Sequence, residues 1–208
     1  ELPNGRRCYT FCMCPGGEVI ASSSEKDGIV TNGMSNFARD GVNSNAALLV
    51  NIANGDLEGD DVLAGVYYQR ELEKRAWQLG KGLAPVQRVE DFMNDTVSEK
   101  TGRVKPSYLP GYTLSNLNDL FPDFVNETLK RGIRYFETKV RGFNDPDAIL
   151  TGVETRTSAP LTIVRNEKLQ SPSLKGVYPC GEGAGYAGGI TSAAVDGIKV
   201  ALKIIEDA

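Results

Sequence analysis

The 208-residue chain contains no histidine. That absence removes Ser-His-Asp and Cys-His nucleophile systems, histidine-ligated zinc and the usual general base. Acid–base chemistry is left to carboxylates, Tyr, Lys, Cys or a bound cofactor. Long apolar runs are also lacking, so no segment reads as a bilayer span, and no signal-peptide pattern is present. Basic tracts are missing and the net charge is −4, which argues against nucleic acid as the main partner. The expected compartment is the cytoplasm. The first residue is Glu1 rather than Met, followed at once by a turn-like Leu2-Pro3-Asn4-Gly5, which reads as a piece of a longer chain.

Cysteine is sparse: Cys8, Cys12, Cys14 and Cys180 are too few and too unevenly spaced for a secreted disulfide scaffold. The first three approach an iron–sulfur triplet of the C-x3-C-x2-C type, but Pro15 stands where the third cysteine is needed. The segment reads instead as a strand. In an extended strand Cys12 and Cys14 face the same side and could line one surface together. They are catalytic candidates for thiol-redox chemistry, beside the plainer reading as small packing residues.

What is present is a composition of 40% hydrophobic and 24% charged residues, ordinary for a globular protein, with strand-like and helical segments that together read as an α+β or α/β fold. Residues 7–14 and 18–23, on either side of Pro15-Gly16-Gly17, read as a β-hairpin, and residues 28–35 as a third strand. Another strand is expected over residues 43–54. Val62, Val66, Leu72, Ala76 and Leu79 fall at helical spacing, with Asp60 and Asp61 at the start and Gly80 near the end. The stretch 81–111, with Pro85, Pro106 and Pro110, reads as an exposed, loop-rich excursion, even a lid. Pro122 opens a second helix whose stripe is Phe124, Val125, Thr128, Leu129, Ile133 and Phe136. Residues 148–165 and 176–180 read as strands, and a final helix carries Ile190, Ala194, Gly197, Ile198, Ala201 and Ile205 on one side.

Between the last strand and that helix, Gly183, Gly185 and Gly188 fit the dinucleotide fingerprint G-x-G-x-x-G. Glycines let backbone approach a ligand closely, and a helix N-terminus offers unpaired N–H groups. A self-contained dinucleotide unit also needs a second parallel strand ending in an acid about twenty residues on. Glu206 and Asp207 stand at that distance, but they end the helix and no strand follows them. The glycines therefore read as a cofactor or anion loop of another kind.

Residues 180–197, "CGEGAGYAGGITSAAVDG", resemble the C-terminal flavin-contacting segment of the two-part FAD-dependent oxidoreductases of the glutathione-reductase-like superfamily. Together with "FCMCPGGEVIASSSEKDGIVTNGMSNFARD" and "TGVETRTSAP", the chain is similar to a bacterial family of FAD-dependent (NAD/FAD-utilising) dehydrogenases described as uncharacterised. The resemblance implies an inserted middle or substrate domain over residues 1–150, then residues 151–208 as the C-terminal strand–glycine loop–helix of a Rossmann-like FAD-binding domain. Glu182 would meet the ribityl hydroxyls, Gly181 and Gly183 would let the chain pass close to the cofactor, and Gly188, Gly189 and Ile190 would present backbone N–H groups to the ring. Arg156 is a candidate for chemistry, with Asn32, Arg39, Thr157 and Ser158 facing a small-molecule substrate. The resemblance further implies hydride transfer between flavin and a substrate or NAD(P)H, and a partner in the N-terminal FAD-binding half of the same polypeptide. No membrane partner is expected, and the 208 residues alone are expected not to hold FAD tightly. The alternative is a stand-alone module that binds a phosphate-bearing ligand at the glycine-rich helix start, without redox activity. A flavoenzyme that modifies tRNA fits less well, because basic clusters are lacking.

Overall fold

The computed structural model describes residues 5–206. The chain mixes helices and strands, and it divides into two compact units. The first comprises the described residues up to Asp56 with Arg70–Thr155; the second comprises Leu57–Gln69 with the described residues from Arg156 onward.

All described strands belong to the first unit. They are β1 (Cys8–Cys14), β2 (Gly17–Ala21), β3 (Thr31–Ser35), β4 (Asn45–Val50), β5 (Ala84–Arg88), β6 (Tyr112–Leu114) and β7 (Ile149–Thr151). The expected hairpin of β1 and β2 does not form. β1 runs antiparallel to β4, with Cys8 opposite Val50, and β2 runs antiparallel to β3, with Gly17 opposite Ser35. The Pro15-Gly16 turn passes the chain from one sheet to the other. Gly16 has φ +55° and its Cα lies against the Arg39 carbonyl, while its own carbonyl accepts the Gly41 N–H at 3.2 Å. The turn is thus held by the loop after β3.

The expectation that Cys12 and Cys14 share a face is also corrected. Phe11 lies opposite Ala47 and Cys14 opposite Asn45, so three steps on β1 match two on β4. This is a one-residue bulge, with Cys12 at φ +47°, and strict side-to-side alternation does not carry through it. Cys12 is exposed, whereas Cys14 is half-buried against Gly33 of β3.

The larger correction concerns residues 81–111. Residues 84–88 of that stretch form β5, the centre of a sheet ordered β6-β5-β7, parallel to β6 and antiparallel to β7, while residues 94–111 are irregular and mostly exposed or half-buried, as expected. Ala84, Val86 and Gln87 are all 0% exposed. Pro85 misleads because proline is rare in central strands. Here Ala84 donates on the β6 side, to Gly111 O at 3.2 Å, and Pro85 only accepts, from the Gly152 N–H at 3.0 Å. The buried Gln87 amide is fully engaged: Nε2 donates to Thr96 O and Asn116 Oδ1, and Oε1 accepts the Leu117 N–H at 2.7 Å. A buried polar group is tolerated on those terms.

Three helices complete this region: α1 (Ala64–Leu79), α2 (Val89–Met93) and α3 (Asp123–Glu137). Helix α1 starts three residues later than Asp61, whose side chain accepts the Leu63 N–H at 2.7 Å. It ends in a Schellman motif, with Lys81 at φ +54° and Gly82 N–H bonded to Trp77 O at 2.8 Å. The core gathers Phe92, Leu117, Leu120, Val125, Leu129 and Ile133 around β5.

Helix α3 crosses β1 at a tight point. A Cβ on Gly132 would overlap Cys8 Sγ and lie 2.9 Å from Cys8 Cβ. Burial there pushes the Cys8 thiol up to about 11. Gly132→Ala is expected to destabilise the chain by about 1–3 kcal/mol, the usual cost of overpacking. The urea midpoint should fall at unchanged m-value, and adding Cys8→Ala should recover part of the loss through non-additivity.

The second unit holds the first turns of α1 and the helix α4 (Ile190–Glu206). The strand expected at residues 176–180 is not formed. Pro179 lacks a donor, and no strand among the described residues of this unit is there to pair with it. Ser171 N–H instead reaches Val177 O at 2.8 Å. The strand expected over 148–165 is confined to β7.

Candidate functional site

Helix α4 and the loop before it form the part of the second unit with a chemical signature. The loop is closed on itself: Tyr186 N–H donates to Gly181 O at 3.0 Å and Gly185 N–H to Glu182 O at 2.9 Å. Gly181 and Gly185 have φ +73° and +81°, where L side chains are strained. Gly185 is also pressed close, since an added Cβ would lie 2.6 Å from Leu161 O. These two glycines have internal causes.

Gly183, Gly188 and Gly189 do not. None has positive φ; a Cβ on Gly183 or Gly188 would meet nothing within 4 Å, and one on Gly189 only Ser192 Oγ at 3.9 Å. Three residues of bare backbone face open space beside the start of α4. There Gly189 O accepts the Ala193 N–H at 2.9 Å and the Ser192 hydroxyl at 3.0 Å. The N–H groups of Ile190, Thr191 and Ser192 have no acceptor among the described residues, as expected for the first turn of a helix. The half-buried Glu182 carboxylate likewise makes no hydrogen bond among the described residues. Ile190 is 94% exposed.

Behind this surface lies a polar joint that sequence reasoning missed. Asp196, buried on α4, accepts Arg165 Nη2 at 2.7 Å on Oδ1, and Arg165 Nη1 at 3.0 Å and the Gly181 N–H at 2.9 Å on Oδ2. Arg165 Nη1 also donates to Pro179 O at 3.0 Å, and the guanidinium lies 3.7 Å from the centroid of the Tyr186 ring. Tyr186 OH donates to Ile163 O at 3.0 Å, and Ile163 N–H to Ala184 O at 3.1 Å. The hydrogen bonds from Arg165, then from Gly181, hold the Asp196 carboxyl below the usual carboxylate range. One unused signal could have pointed to Asp196: it is the lone acid of α4 before Glu206.

The other candidates are divided between the two units. Arg156 and Ser158 are exposed and Thr157 half-buried in the second unit, where Ser158 O accepts Gln69 Nε2 at 3.4 Å. Asn32 is half-buried on β3, opposite Ile20, and Arg39 is exposed at φ +53° on the following loop, both in the first unit with Cys12 and Cys14. The bulge gives Cys12 and Cys14 different exposure, and Cys14 packs beside the neighbour of Asn32. No group of three or more metal-ligating side chains occurs among the described residues.

Residues 1–157 match the family described as "FAD-dependent protein, C-terminal domain-like". The chain belongs to this family of FAD-dependent proteins. The match ends more than twenty residues before the glycine loop and does not include it. The chain is also 54% identical, over 203 residues, to a protein of Clostridium beijerinckii (strain ATCC 51743 / NCIMB 8052) described as "Uncharacterized protein". That alignment covers 97% of this chain and 38% of the relative, so the chain spans well under half the length of the protein it matches.

The loop geometry sets a graded outcome for alanine substitutions. Gly185→Ala should cost about 1–3 kcal/mol through strain and overlap, whereas Gly183→Ala and Gly188→Ala should stay within about 0.5 kcal/mol of the parent in chemical denaturation. A large loss at Gly183 or Gly188 would show that the open backbone has an internal cause after all.

Glu154, two residues before Arg156, is a second measurable point. Burial pushes its carboxyl up from 4.5 to about 7. A raised carboxyl stabilises the fold fully below pH 4.5, and that contribution is lost as pH rises to about 7. Glu154→Gln should therefore be neutral at pH 4 and stabilising at pH 8. Because the group is only half-buried, solvent screening should limit the gain to about 1 kcal/mol in urea titrations at the two pH values.

Proposed function

We propose that the chain is the C-terminal part of a FAD-dependent dehydrogenase of the glutathione-reductase-like superfamily, passing hydride between a small-molecule substrate or NAD(P)H and flavin. The observation that carries this reading is the bare backbone of Gly183, Gly188 and Gly189, grouped with an unpartnered Glu182 and the free N–H groups of α4. A flat cofactor needs backbone without Cβ atoms, an acceptor for its polyol hydroxyls and donors for the edge of its ring. The residues present fit those three needs.

In this reading Glu182 accepts the ribityl hydroxyls. Gly181 and Gly183 let the chain pass close by, and Gly188, Gly189 and Ile190 present N–H groups to the pyrimidine edge. The positive end of the α4 dipole favours negative charge at that edge. Bound FAD would supply the redox chemistry, so the lack of histidine is no obstacle. Arg156, Thr157 and Ser158, with Asn32 and Arg39, are the residues we assign to an anionic or polar substrate; Cys12 and Cys14 are the thiols available for redox exchange.

The partner is the remainder of a longer polypeptide, holding the FAD pyrophosphate. The short span relative to the Clostridium protein supports this, as does the exposed apolar stripe of Ile190, Ala194, Ile198, Ala201 and Ile205 on α4. No helix of the described chain is long and apolar enough to cross a membrane. A cytoplasmic enzyme without nucleic-acid partners is the setting we propose.

The complete polypeptide should purify with about one flavin per chain, and the 208 residues alone with little. Glu182→Ala in the complete polypeptide should lower flavin retention about tenfold or more, the scale of a lost charge-assisted hydrogen bond. Flavin absorbance after gel filtration reads both. Parent-like retention in the Glu182 variant, or stoichiometric flavin on the isolated 208 residues, would contradict the assignment.

A further inference from the structure

We propose that Arg165 and Asp196 are positioning residues that hold the glycine loop in the shape that receives flavin; this rests on the flavin reading above. The pair reaches both ends of the loop at once. Through Asp196 Oδ2 it fixes the N–H of Gly181, the residue before Glu182, at 2.9 Å. Through its stacking at 3.7 Å on Tyr186 it fixes the residue whose N–H closes the loop onto Gly181 O. Arg165 also holds Pro179 O at 3.0 Å, just before the loop.

The loop needs such a clamp. It contains two positive-φ glycines, and at Gly183, Gly188 and Gly189 no side chain restrains it. Glycine backbone without packing is the most entropically free in the chain. Among the described residues of the loop and α4, only Ala184, Asp196 and Val200 are buried, so apolar packing offers little fixation. The ion pair is a poor source of net stability, because desolvating two charges offsets most of their attraction. Its geometry is better suited to specificity: a planar guanidinium gripped through both nitrogens by a carboxylate sets direction as well as distance. What it directs is the peptide between Gly181 and Glu182, and hence the stem of the acid assigned to the ribityl chain.

The test uses the complete polypeptide with Asp196→Asn, Arg165→Met, the double variant, and Asp196→Glu as the conservative variant. Two readouts are taken: amide hydrogen exchange of residues 181–186 without flavin, and FAD affinity by titration. The expected result is faster exchange in Asp196→Asn and Arg165→Met with FAD bound about tenfold or more weakly, as when a supporting partner behind a ligand-binding group is removed. The double variant should be no worse than the poorer single, because one joint is broken in each, and Asp196→Glu should recover affinity in part. Additive losses, exchange at the parent rate, or faster exchange with parent-like FAD affinity would each overturn the proposal. A parent polypeptide that exchanges slowly in the loop yet binds no FAD would instead refute the flavin reading and, with it, the role assigned here.

Discussion

The apolar side of helix α4 has no cover among the residues described here. Ile198 and Leu202 are more than half exposed, and Ile190 and Ile205 are 94% and 71% exposed. Burying a side chain of this kind is worth about 1.5–3 kcal/mol, so a stripe of four is a large unmet driving force. An exposed apolar patch of this length marks an interaction surface rather than a finished one. The first unit shows the contrast. Phe92, Leu120 and Ile133 are each about 1% exposed, and even the amide of Gln87 is buried and satisfied.

The same economy of cover explains the glycines. A loop that only had to turn would need Gly181 and Gly185, which occupy left-handed backbone. Gly183, Gly188 and Gly189 add open backbone that the chain does not use for itself. Their bareness, the first-turn N–H groups without acceptors among the described residues and the unpartnered Glu182 are the features that support the proposed flavin contact. Arg165 and Asp196 tie the base of the loop to α4, so in the proposed reading this pair sets the loop's shape while open backbone and Glu182 meet the ligand.

How much of this was legible in the sequence depended on range. Helices α3 and α4 followed from apolar spacing, because periodicity is local. α1 also followed, though its start slipped to Ala64 because Asp61 closes a turn on Leu63 first. Strand pairing was not legible: the Pro15-Gly16 turn has every local mark of a hairpin, yet Arg39 and Gly41 capture it from more than twenty residues away. β5 was missed because Pro85 reads as a breaker until its neighbours show that no donor is required. The bulge at Cys12 leaves no sequence trace, so the shared face of Cys12 and Cys14 was lost with it. At the site, the glycines and Glu182 were visible as a motif. Arg165 and Asp196 were not, since nothing local links residues thirty-one positions apart.

We hold that the open backbone at Gly183, Gly188 and Gly189 is the face that meets flavin. A structure of the complete polypeptide with FAD bound tests it most directly. The expected result is the flavin ring and ribityl chain in van der Waals contact, about 4 Å or less, with Gly183 and Gly188 and within hydrogen-bonding reach of Glu182. FAD held elsewhere, with that backbone still facing solvent, would contradict it.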